Sequence, residues 1–120
     1  MKRYSVVFGL LSALLLPVTV EAREVTFTTE LDAYNGNGAY LAFYLTDAEG
    51  KYLRTLWVAG KKSKYYRHLP DWARGSGLRK SEYDGLTGAS VRSGQTHTFS
   101  ANLDDALLDT GLQIRIDSAV

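Results

Sequence analysis

Between Val25 and Ala59 apolar and polar residues alternate in three short runs separated by glycine-bearing turns, and no helical period of apolar positions takes over afterwards. A chain patterned this way buries one face of each run by stacking sheets. Val25, Phe27 and Thr29 alternate with Thr26, Thr28 and Glu30. Asn35-Gly36-Asn37-Gly38 marks a turn, because Asn and Gly tolerate the positive φ that tight turns require. A second strand is expected from Ala39 to Thr46, and Asp47-Ala48-Glu49-Gly50 closes a hairpin onto a third from Lys51 to Ala59. In that third strand Leu53, Thr55 and Trp57 oppose Tyr52, Arg54, Leu56 and Val58, and the three strands read as a meander.

The alternation is lost from Gly60 to about Leu86. A loop of that length inside a compact domain usually carries function or a short helix, and Pro70-Asp71-Trp72-Ala73-Arg74 predicts one helical turn ended by Gly75-Ser76-Gly77. Strand character returns at Gln95 to Ala101, with His97 and Phe99 on one face, and at Leu112 to Ala119, with Leu112, Ile114 and Ile116. The expected fold is all-β: an antiparallel immunoglobulin-like β-sandwich with one long loop carrying a short helix. The sequence stops at Val120 on an apparent strand, which leaves a complete domain and a C-terminally truncated one both open.

The first residues have the layout of an export signal. Lys2 and Arg3 precede an apolar run from Val6 to Leu16, and Pro17 leads to Val20-Glu21-Ala22, with small or modest residues where a signal peptidase reads. The run is shorter than the roughly 20 apolar residues that span a bilayer. Residues 1–22 are therefore expected to be a signal peptide cleaved after Ala22, leaving residues 23–120 as one periplasmic domain with no transmembrane segment. The chain has no cysteine, hence no lipobox and no disulfide. Its core must hold by packing, for which Trp, Phe and Tyr supply area. The mature domain is charge-balanced but polarised: Lys51 to Lys80 holds nine basic residues and one acid, Asp71, whereas Asp104, Asp105, Asp109 and Asp117 crowd the end. That pattern suits a polarised surface and not a nucleic-acid binder.

Two segments carry candidate chemistry. Lys61-Lys62-Ser63-Lys64-Tyr65-Tyr66-Arg67-His68 interleaves basic and aromatic residues, which can stack on a ring and hold a phosphate; its plain structural reading is a solvated loop whose tyrosines cover the sandwich edge. Lys61, Lys62, Lys64, Tyr65, Tyr66 and Trp72 are the expected partner or ligand contacts, with burial as a plug under the loop the other reading of Trp72. Asp84-Gly85-Leu86-Thr87-Gly88-Ala89-Ser90 resembles the sites where bacterial transferases attach flavin mononucleotide (FMN). That resemblance implies Ser90 as acceptor, with Asp84, Thr87 and Gly88 in the attachment motif. The same residues also read as a glycine-punctuated turn. Only His68 and His97 are present and no thiolate exists, so neither a metal site nor a catalytic nucleophile is expected. His97 reads as a packed strand histidine, and Trp57 as core.

The run Leu53-Arg54-Thr55-Leu56-Trp57-Val58, then Tyr65 to Trp72, Asp84 to Ser90, and Arg92-Ser93-Gly94 leading into His97-Thr98-Phe99, resembles an uncharacterised family of predicted periplasmic proteins, domain of unknown function twenty-two seventy-one. Its strand layout in turn looks like the immunoglobulin-like domain of the flagellar hook-capping protein. The resemblance implies a setting beside membrane PepSY-type proteins, flavin transferases and iron-uptake receptors. Two functions follow as expectations: a non-catalytic periplasmic module assisting a membrane redox or iron-acquisition system through the Gly60 to Tyr83 loop, or a covalent FMN carrier modified at Ser90. A structural domain with no ligand is the third.

Overall fold

The structure, a computed structural model, describes residues 22–120, so the expected export segment lies outside the described residues. The strands are β1 (Ala22–Glu30), β2 (Tyr40–Thr46), β3 (Tyr52–Ala59), β4 (Thr87–Gly88), β5 (Thr96–Asp104) and β6 (Gln113–Ala119), with helices α1 (Pro70–Ser76) and α2 (Asp105–Leu108). They form a sandwich-like all-β fold in which a two-stranded sheet, β1-β5, faces a four-stranded sheet of order β4-β3-β2-β6. All pairings are antiparallel except the short β3-β4 contact, which is parallel.

β1 departs from the expected meander. It pairs along its whole length with β5, from Ala22 opposite Asp104 to Glu30 opposite Thr96, and not with β2. The Asn35 to Gly38 stretch is therefore no hairpin but the passage from one sheet to the other. Such a passage lets β1 bring Val25, Phe27 and Leu31 onto the inter-sheet core, which contains Leu41, Phe43, Leu45, Phe99 and Leu103. The hairpin at Asp47 forms as expected, with the Asp47 carboxylate accepting the N–H groups of Glu49 (3.0 Å) and Lys51 (2.8 Å).

β2 is buried on both faces, which its almost continuous apolar run Tyr-Leu-Ala-Phe-Tyr-Leu-Thr permits. Leu41, Phe43 and Leu45 face the β1-β5 sheet; Ala42 and Tyr44 face a second cluster with Val58, Tyr66, Leu69 and Trp72. Two irregularities in the β2-β3 register, one between Phe43 and Tyr44 and one between Leu45 and Thr46, overturn the simple alternation expected for β3. Each inserts one extra residue. Thr55 thereby shares a side with Tyr44, while Leu53 is pushed out to 43 % exposure.

The segment after Gly60 supplies the second cluster's other wall. It holds a 3₁₀ turn at Ser63–His68, α1, and a further 3₁₀ turn at Lys80–Glu82. The expected helix is present and two residues longer. Pro70 opens it, Gly77 closes it in the left-handed conformation (φ 65°), and both placements follow from what these residues can adopt. No residue of its own caps its start. Asp117 of β6 does so, accepting the Trp72 backbone N–H at 2.8 Å on one oxygen and the Tyr44 hydroxyl at 3.1 Å on the other. Burial, and then the Asp117 charge, push the Tyr44 phenol up to about 12.

Tyr66 and Trp72 are therefore not available to a partner: they are 2 % and 0 % exposed. The Trp72 ring meets Tyr66 and Tyr83 edge-on at 5.4 and 6.1 Å, and its indole N–H donates to Thr55 Oγ1 at 2.9 Å. An aromatic with its one donor satisfied is a core residue by the usual physics. His97 is packed as expected, its ring stacked on Phe43 at 5.8 Å and near Trp57 at 6.4 Å, and burial lowers its pKa.

Candidate functional site

Four stretches far apart in sequence converge at the end of the larger sheet. Leu86 to Val91 runs extended beside β3: Val58 N–H donates to Leu86 C=O (2.8 Å) and Gly60 N–H to Gly88 C=O (2.7 Å). Val91 then exchanges both backbone hydrogen bonds with Ala39, at 2.6 and 3.0 Å. This bridge sets Ser90 against Gly38, where a Cβ on Gly38 would stand 2.6 Å from Ser90 Oγ. The last residues, Ala119 and Val120, and the 3₁₀ turn complete the rim of an open recess of about 680 Å³. That size falls among ordinary small-molecule sites.

Tyr40, Tyr65 and His68 give the recess its aromatic character, and Lys62 its charge; Asn37, Gly38 and Ser90 line the opposite part. Tyr40 meets Tyr65 edge-on at 5.7 Å, and the Tyr65 and His68 rings stack at 6.4 Å. Lys64 Nζ lies 5.0 Å from the Tyr65 ring centroid, close enough for a cation–π contact. Tyr40 is fixed by what lies beneath it: Gly60 has φ +134°, and a Cβ there would fall 2.3 Å from the Tyr40 ring. The Tyr66 hydroxyl donates to Gly60 C=O at 2.7 Å, and the Tyr40 hydroxyl accepts the Lys62 backbone N–H at 3.2 Å. None of the side chains lining the recess is a carboxylate, and Lys62 is the lysine among them, so the side chains alone favour a negative ligand.

Lys62, Tyr65 and Ser90, singled out in two separate segments, are thus brought together. Lys61 and Lys64 are exposed beside the recess but do not line it, and Tyr66 lies under it. The rest of the proposed attachment motif is drawn away. Thr87 and Gly88 form β4, Asp84 is exposed at the far end of the extended segment, and Gly88 has a packing reason to be glycine, since a Cβ would stand 2.6 Å from Trp57. The motif opens as a turn, the Leu86 N–H donating to Tyr83 C=O at 2.9 Å with Gly85 at φ +77°, and continues from Leu86 as a strand-paired stretch. Tyr40 and Val120 escaped sequence reasoning, and His68 belongs to the basic-aromatic segment without being among its expected contacts. Tyr40 reads as one more alternating strand residue, and nothing in its spacing announces that a glycine twenty positions on lets its ring lie flat against the chain.

A second recess of about 600 Å³ lies between Arg54 to Trp57, Ser81 to Leu86 and Ser100 to Asn102. It is crossed by the Arg54 guanidinium donating to Asn102 C=O at 2.7 Å.

No match was found among curated proteins or among solved structures. A family model described as predicted periplasmic protein (DUF2271) matches residues 22–120, the whole of the described domain, and the chain belongs to that family.

Proposed function

We propose that this chain is a periplasmic binding module that takes a flat, anionic, ring-bearing ligand in the recess and serves a membrane redox or iron-acquisition system. The observation that carries this reading is the convergence of three ring-bearing side chains, Tyr40, Tyr65 and His68, with the Lys62 ammonium and the Ser90 hydroxyl on a recess of about 680 Å³. Rings offer a stacking platform worth about 1–3 kcal/mol per stacked base, and a lysine among them selects a phosphate or carboxylate. FMN, with one flat ring system and one phosphate, has this chemistry. The basic rim of Lys61, Lys62, Lys64 and Arg67 is the face offered to a membrane partner of PepSY type, and a small sandwich-like all-β domain suits a module that works by contact.

The test is a titration of the purified domain with FMN and with riboflavin, followed by flavin fluorescence. FMN should bind more tightly than riboflavin, Lys62→Glu should erase that difference, and Tyr65→Ala should weaken both by roughly tenfold, the value of about 1.4 kcal/mol of stacking. Equal binding to the wild type and to both variants, or none at all, would overturn the reading.

The place of Ser90 supports a second reading, covalent flavinylation. A flavin transferase would move the FMN phosphoryl from a flavin adenine dinucleotide donor to Ser90 Oγ, forming the Oγ–P bond as the pyrophosphate bond breaks and adenosine monophosphate leaves with the serine proton, and the ring would fold back over Tyr65. Ser90 sits beside the Ala39–Val91 bridge, so the segment must leave that bridge to enter a flavin transferase. Intact mass of the domain made in a host with an active transferase tests this: an FMN increment absent in Ser90→Ala supports the carrier, and a bare mass refutes it.

A further inference from the structure

The four-stranded sheet is wider than the layer that covers it. β6 is its edge, and among the described residues it pairs with β2 alone, in a register without a bulge. Ile116 lies opposite Phe43 and Ile114 opposite Leu45, so both share the face that looks toward β1-β5. Yet they are 50 % and 45 % exposed, because the two-stranded layer stops short of them. Edge strands are ordinarily protected by charged side chains, lysine above all, by proline, by a bulge or by a cover, and the charges of β6, Arg115 and Asp117, alternate with Ile114 and Ile116 and so belong to the other face. The strand Gln-Ile-Arg-Ile-Asp-Ser-Ala has no lysine or proline.

We propose that a second copy of this chain covers this edge, with β6 pairing antiparallel to its own counterpart across a two-fold axis through Ile116. The symmetry leaves few choices. A two-fold axis normal to the sheet keeps each inward residue opposite another inward one, so it passes through a residue and not between two. Centred on Arg115, it sets guanidinium against guanidinium; centred on Asp117, carboxylate against carboxylate; and like charges directly opposite destabilise a pair. Centred on Ile114 or Ser118, it leaves only three of the seven strand residues overlapping. Centred on Ile116, all seven pair, Arg115 of each copy faces Asp117 of the other, and Ile116 meets itself with Ile114 diagonal on either side. Arg115 is already steered by Gln113 Oε1, at 3.1 and 2.9 Å. Each Asp117 oxygen accepts one bond within its own chain, which leaves lone pairs for a second.

The result is one continuous eight-stranded sheet. The same register places Leu112 of the second copy opposite Val120, which lines the recess; this last consequence rests on the binding function proposed above, whereas the dimer itself does not.

The chain has no cysteine, so a single introduced one can form a disulfide only with another copy. Under mild oxidation Ile116→Cys should cross-link rapidly. Directly opposite residues place their Cβ atoms within about 5.5 Å, near the reach of a disulfide. Ile114→Cys and Ser118→Cys should each cross-link alone at least about tenfold more slowly, their own copies lying out of that reach, but should join one another when mixed. Wild type should sediment as a dimer at concentrations where Ile116→Lys, with an unchanged circular dichroism spectrum, is a monomer. Equal cross-linking by the three single variants, or a monomeric wild type at millimolar concentration, would overturn the proposal and leave the edge to a strand from a different protein. None of these readouts involves the recess, so failure of the dimer and failure of the binding function stay distinguishable.

Discussion

Trp72 separates a loop that is core from a loop that is a contact surface, and its truncation can be worked through in numbers. The side chain is fully buried, and an indole covers about 200 Å², which at about 25 cal/mol per Å² gives roughly 5 kcal/mol of transfer. Alanine retains part of that, and the cavity left between Tyr66, Tyr83 and β3 closes only in part. Trp72→Ala should therefore cost about 4 kcal/mol. Thr55 Oγ1 loses the indole donor (2.9 Å) but keeps the Tyr52 hydroxyl at 2.7 Å, so the hydrogen bond adds little. Trp72→Phe keeps most of the ring and should cost about 2 kcal/mol. Against a total stability of about 5–15 kcal/mol for a domain of this size, the alanine variant should lower Tm by about 16–32 °C. Urea unfolding followed by circular dichroism reads both variants. A loss below about 1 kcal/mol for Trp72→Ala would refute the burial reasoning and return Trp72 to the surface. Ligand affinity of the molecules that remain folded should not change, because Trp72 does not line the recess.

Gly60→Ala adds a Cβ 2.3 Å from the Tyr40 ring at φ +134° and should cost about 3 kcal/mol while displacing Tyr40; Gly85→Ala, at φ +77° with nothing within 4 Å, should cost about 1–2 kcal/mol, so equal losses in denaturant would contradict the close approach. Burial depresses the His97 pKa; the unfolded chain therefore takes up that proton first, and stability should fall as pH drops below about 6.5, a slope that thermal melts of His97→Phe should lack. Tyr44 and Tyr52 are pushed up to about 12; the unfolded phenols ionise from about pH 10, so stability should fall between pH 10 and 12 by up to about 1.4 kcal/mol per unit for each group. Absorbance of phenolate against pH should show both titrating late.

The strands were legible because alternation is a local property. β2, the Asp47 hairpin and the Pro70 helix can be read from neighbouring residues. The partner of β1 could not, since antiparallel pairing with β5 or with β2 satisfies the same alternation, and the choice is made by how the sheets share one core. β3 misled because its two extra residues invert the phase that period-two counting assumes. The site was half legible: Lys62 and Tyr65 stand out by their basic-aromatic interleaving and Ser90 by its motif. Tyr40 and His68 join them only through Gly60 and the 3₁₀ turn, which are tertiary facts. Within the Asp84 to Ser90 motif the turn at Asp84-Gly85 is local and legible, whereas Gly88 answers to the Trp57 ring, a tertiary contact.

The most direct measurement of the recess as the ligand site is a set of ¹⁵N–¹H correlation spectra of the domain titrated with FMN. Shifts that saturate and cluster at Gly38, Tyr40, Lys62, Tyr65, His68, Ser90 and Val120, with a midpoint that moves to about tenfold higher FMN in Tyr65→Ala, are the expected result. An unchanged spectrum at millimolar FMN, or shifts centred on Arg54 and Ser100 to Asn102, would contradict it.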